Sequence, residues 1–97
     1  YWLGTQNNAA PSHKNPTNFV RNGTAVGPLE GYSAPLVVGE AVTWLRRHRD
    51  RSKPFFLAVW AHEPHLPIES DPRFQEPYTG IPDPDVRQHH GNVTQLD

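Results

Sequence analysis

The chain has 97 residues, 35% of them hydrophobic and 11 of them proline, with a net charge of −1 and no cysteine. It is long enough for one small domain at most, and it is leaner than the ~45–50% apolar content (glycine included) of ordinary globular chains. Disulfides, thiolate metal sites and a cysteine nucleophile are excluded within it, no net field favours nucleic acid or an anionic membrane, and no apolar run reaches the ~18–20 residues of a membrane span.

A chain this lean and proline-rich has difficulty offsetting its own ordering entropy. It contains no methionine, opens on Tyr1-Trp2-Leu3 and closes on Thr94-Gln95-Leu96-Asp97 without a helix stop. The expectation is an internal piece of a larger protein that does not fold alone, 1–97 being part of one domain.

Residues 1–32 are rich in Asn, Gly, Pro, Ser and Thr, as in Gln6-Asn7-Asn8, His13-Lys14-Asn15-Pro16 and Arg21-Asn22-Gly23. That composition predicts turns and irregular loop. Its aromatics, Tyr1, Trp2, Phe19 and Tyr32, favour a packed loop over a free linker. Residues 33–49, SAPLVVGEAVTWLRRHR, predict a helix with Ser33 as N-cap, Pro35 in the first turn and apolar positions at Val37, Val38, Ala41, Trp44 and Leu45. Its basic end, RRHRDRSK, could be a nucleic-acid patch, but no basic companion face exists, and cations at a helix C-terminus complement the dipole.

Residues 54–60, PFFLAVW, form a short continuous apolar run, which predicts a strand buried on both faces. A helix followed by such a strand is half of a βαβ unit, so the fold class expected is α/β, the larger protein having a largely parallel sheet. Residues 61–82 return to loop. A last helix is expected over 84–97, starting near Asp83 or Asp85, with Val86, His90, Val93 and Leu96 along one apolar-leaning face. His89 and His90 are expected to be solvated.

In open α/β sheets ligands bind just beyond the carboxyl ends of the strands. Ala61-His62-Glu63-Pro64-His65-Leu66-Pro67 would occupy such an end, with Pro64 and Pro67 restricting the backbone around His65. A histidine held in this way can donate to an anion or protonate a leaving oxygen near neutral pH. A purely structural loop remains an alternative. So does zinc on His62, Glu63 and His65, although Pro64 opposes the HExxH helix pattern.

The succession Gly31-Tyr32, apolar helix, Pro54-Phe55-Phe56-Leu57, Pro64-His65-Leu66-Pro67 and terminal Leu96-Asp97 resembles the central part of the sulfatase family, arylsulfatase-like hydrolases of the alkaline-phosphatase-like superfamily. The resemblance spans roughly residues 30–97, and the stretch before it is compatible with variable substrate-side insertions. It implies an incomplete α/β sulfatase domain running loop, helix, buried strand, active-site loop, helix.

It also implies hydrolysis of aryl or carbohydrate sulfate monoesters by a formylglycine nucleophile assisted by calcium. His65 matches the family histidine that contacts the sulfate and helps the leaving oxygen depart, and His62 would orient it or face the substrate. His13 and Lys14, with Asn15 and Arg21, could line a pocket for a sulfated small molecule or carbohydrate, or be ordinary solvated loop residues. The resemblance makes export to a periplasmic or extracellular space plausible.

The Cys/Ser-x-Pro-x-Arg segment, the paired calcium-binding aspartates, the upstream lysine and histidine and the Asp-Asn-Gly segment are not in the chain. Nucleophile and calcium ligands are therefore expected outside it, and the 97 residues alone are expected to be inactive. The rival readings are a phosphatase or phosphodiesterase of the same superfamily, or a non-catalytic sulfatase-like binding protein. Asn22-Gly23-Thr24 and Asn92-Val93-Thr94 fit the glycosylation pattern.

Overall fold

The N-terminal stretch is more ordered than a loop. In a computed structural model that describes residues 1–97, it carries a three-stranded antiparallel ribbon in the order β1 (Leu3–Gly4), β2 (Val20–Arg21), β3 (Thr24–Ala25). The β2–β3 turn is Asn22-Gly23, both at positive φ (49° and 87°). A two-residue hairpin turn of that kind matches the right-handed twist of its strands and requires residues that tolerate the left-handed region.

Asn22 also receives the Trp2 amide on Oδ1 at 2.9 Å, which ties β1 to the turn. Asn15 closes the stretch onto the next helix, with its amide donating to Gly31 O and its Oδ1 accepting from the Gly31 amide. The fully buried side chains Phe19, His13 and Pro16 lie in this stretch, beside Ala9 and Ala34.

Helix α1 covers Ser33–Thr43 and continues as a π-helical turn, Trp44–His48, closed by the Arg49 amide on Trp44 O. Helix therefore occupies 33–48 of the expected 33–49, and Arg46, Arg47 and His48 sit in its last turn. Ser33 is not the N-cap: Tyr32 holds that position, and no side chain of its own caps the helix. Arg21 and the Tyr1 hydroxyl both reach Glu40, which fastens the ribbon to the middle of α1.

The strand expected at 54–60 is not realised. The segment is extended and unpaired, its backbone makes no hydrogen bond within the chain, and Phe56 and Trp60 are 91% and 84% exposed. A strand requires a neighbour to take up its N–H and C=O groups. The one sheet in the molecule is the short antiparallel ribbon, which lies elsewhere in the pairing order. The fold is thus mixed helix and sheet at a coarse level, and its own sheet is the three-stranded antiparallel ribbon.

The 61–82 loop contains a one-turn helix, α2 (Pro72–Gln75), capped by Asp71, followed by a 3-10 turn at Glu76–Tyr78. Helix α3, Pro84–Leu96, starts at the cap Asp83 as anticipated. Its facing is reversed: Val86, Val93 and Leu96 are exposed, whereas Gly91, Asn92 and Gln95 are buried.

The partner of α3 is a loop with unmet backbone groups, so polar side chains do the joining. Gln88 donates to Ile68 O at 2.6 Å, Asn92 to Glu69 O at 3.3 Å, and Gln95 accepts from the Asp71 amide at 2.8 Å. His90 is exposed and stacks on Tyr78 at 5.1 Å, with His89 exposed beside it. No helix is long and apolar enough to cross a membrane.

Candidate functional site

The His62–Pro67 loop meets the N-terminal stretch and the start of α1 in a polar cluster. At its base is Glu63, 6% exposed. Glu63 Oε1 accepts from the Ser33 hydroxyl at 2.6 Å and from the Ala34 amide at 2.9 Å. Two of the amide donors that every helix leaves free at its start are thus dealt with by the tertiary fold: Ala34 N by the carboxylate, and Ser33 N by His13 O at 2.8 Å. A carboxylate here also faces the positive end of the α1 dipole.

His13 is fully buried, with Nδ1 3.8 Å from Glu63 Oε1 and no hydrogen bond to either ring nitrogen. Burial lowers its pKa, and the Glu63 charge offsets that only in part. The contact at 3.8 Å is consequently one between a carboxylate and a neutral imidazole near neutral pH, too long for a hydrogen bond.

His62 is half-buried. Its Nε2 lies 3.0 Å from Thr5 Oγ1, its ring meets Phe19 edge-on at 5.4 Å, and burial lowers its pKa as well. Pro64 and Pro67 both follow cis bonds and bracket His65.

His65 is the exposed member. Its Nδ1–H donates to Leu66 O at 2.6 Å, and the Asn8 amide donates to the same carbonyl at 3.0 Å. Nε2 makes no hydrogen bond within the chain, so the ring is held by one nitrogen and presents the other. The His65 amide donates to His62 O at 2.9 Å and closes the turn that carries it.

Of the four residues singled out from the sequence, His13, His62 and His65 come together and Lys14 does not. Lys14 is exposed, its Nζ stands 5.9 Å over the Tyr32 ring, and its side chain makes no hydrogen bond or ion pair. Arg21 is committed to Glu40, and Asn15 to Gly31. His13 is too deeply buried to touch a substrate and belongs to the support of the loop. No three His, Cys, Asp or Glu side chains converge on a point that could hold a metal ion, so the zinc alternative has no ligand set here.

Glu63, Thr5 and Asn8 were not foreseen as supports. Thr5 and Asn8 lie 57 and 57–58 residues from the loop groups they touch, and Glu63 lies 30 residues from Ser33. No local pattern encodes such pairings.

An apolar cleft of about 580 Å³ is lined by Trp2, Val37, Trp44, Phe56 and Trp60, with His62 also on its wall. The chain matches no known protein-family profile and no curated protein.

Proposed function

We propose that this chain belongs to a hydrolase of sulfate monoesters, as its resemblance to the sulfatases implies, with His65 contacting the sulfate group. The observation that supports this most directly is the state of the His65 ring: Nδ1 is engaged by Leu66 O, and Nε2 is free on an exposed loop. In the imidazolium form, Nε2–H would hydrogen-bond a sulfate oxygen and pass its proton to the leaving alcohol oxygen as the S–O bond breaks. His62, whose carbonyl accepts the His65 amide, would orient this ring or face the substrate.

The calcium and formylglycine that the resemblance implies do not fit these residues. The chain has no Cys/Ser-x-Pro-x-Arg segment, and no acidic group converges with others on a cation position. Both would have to be supplied by residues beyond these 97, and the chemistry assigned to this chain is confined to the histidine. The substrate class, aryl or carbohydrate sulfate, and an exported location follow from the same resemblance and stand as part of the proposal.

The test is turnover of 4-nitrophenyl sulfate and 4-nitrophenyl phosphate by the intact protein and its His65→Ala variant. Sulfate-ester hydrolysis, with kcat lower by ~10²–10⁴-fold in the variant, is expected for loss of a proton donor. Turnover of the phosphate alone would favour the phosphoesterase reading, and unchanged sulfate turnover in the variant would remove His65 from the chemistry.

A further inference from the structure

Resting on the role given to His65 above, we infer that Glu63 is the positioning residue for that histidine. It is two residues from His65 in the loop, and its carboxyl group is buried, so it acts through what it holds and not by touching a ligand. It holds the start of α1: the Ser33 hydroxyl and the Ala34 amide both donate to the same oxygen, Oε1. Those two donors lie on a helix that Arg21 and Tyr1 fasten independently to the ribbon through Glu40. The His65 loop is thereby tied to a helix that the ribbon also holds.

On its other side the loop rests on His13, whose carbonyl accepts from Ser33 N and whose ring faces Glu63. Glu63, His13 and the α1 N-terminus therefore make one support beneath the turn that His65 N and His62 O close. Without the carboxylate, the loop loses its only side-chain bonds to α1, and the free Nε2 of His65 loses its fixed direction.

Glu63→Gln keeps an oxygen acceptor for Ser33 and Ala34, whereas Glu63→Ala keeps none. That difference separates positioning from a general contribution to folding. In the intact protein, Glu63→Ala is expected to lower kcat for 4-nitrophenyl sulfate by ~10–100-fold per folded molecule, the scale of a small misplacement of a reacting group, with KM little changed. Glu63→Gln is expected to recover most of the loss, and Ser33→Ala to give a smaller loss of the same kind.

A second readout does not depend on turnover: the ring ¹H–¹⁵N NMR signals of His65 should move in Glu63→Ala and return in Glu63→Gln. Wild-type kcat with unmoved His65 signals in Glu63→Ala overturns the inference. Should Glu63→Ala not fold, Ser33→Ala with unchanged kcat and unmoved signals overturns it equally. Moved signals together with a His65→Ala variant of unaltered turnover would leave the positioning in place and remove His65 from the chemistry.

Discussion

The Ser33 hydroxyl donates to Glu63 Oε1 at 2.6 Å across 30 residues of chain, joining the first residue of α1 to the loop that bears His65. The bond is buried, and its acceptor also takes the Ala34 amide. Helix start and loop are therefore one mechanical unit.

Removing the hydroxyl leaves the buried carboxylate with one donor instead of two. A hydrogen bond to a charged group is worth ~1.5–3 kcal/mol, so Ser33→Ala should destabilise this junction by about that amount. Hydrogen exchange is the measurement. The early amides of α1 and the His65 amide should exchange faster together, and acceleration of α1 alone would show that the two are not joined as described.

His13 and His62 both have pKa values lowered by burial from the usual 6.5. The unfolded chain takes up protons at these rings before the folded chain does, so stability rises with pH in that window. It should be fully present above about pH 6.5 and should fall as the pH drops toward the depressed folded values. Tm measured from pH 7.5 down to 5 should decline, and His13→Gln should flatten part of that decline. A Tm that rises on acidification would contradict the neutral assignment of His13.

Gly91 lies where α3 crosses α2. A Cβ there would stand 2.7 Å from Gln75 Cγ, 3.0 Å from Ser70 Oγ and 3.3 Å from Gln75 N. Gly91→Val therefore forces the two segments apart. Overpacking of this kind costs about 1–3 kcal/mol, more than the few tenths that valine regains over glycine in helix propensity. Thermal melts followed by circular dichroism should show a lower Tm for Gly91→Val, and an unchanged Tm would argue that α3 does not pack on α2 by this face.

Phe56 and Trp60 project from backbone that has no partner. They should bind a hydrophobic dye such as ANS, and a Phe56→Ser/Trp60→Ser double variant should lose most of that fluorescence without loss of helical circular dichroism. Retained dye binding would place the exposed apolar surface elsewhere in the molecule.

How much of this was legible in advance differs by element. The α1 pattern Val37, Val38, Ala41, Trp44, Leu45 is a helical period, and Asp83 followed by Pro84 is a local start signal; both act within a few residues and both predicted helix correctly. Asn22-Gly23 is a local hairpin signal, but the polar composition around it reads as loop. Hydrophobicity alone points Val86, Val93 and Leu96 of α3 inward, whereas the structure exposes them. The loop against which α3 packs has backbone groups to satisfy, and Gln88, Asn92 and Gln95 satisfy them.

By itself, the sequence determined what short-range physics controls: where helices begin, where proline stiffens the chain around His65, and the absence of any thiol chemistry. It also placed His62 and His65 in one loop. Only the tertiary structure decided that His13 joins them, that Lys14 stands apart, that Glu63 ties the loop to α1, and that 54–60 runs unpaired. Each of those outcomes depends on groups tens of residues apart meeting or failing to meet. Burial, hydrogen-bond satisfaction and strand pairing are properties of such meetings, and no window of neighbouring residues contains them.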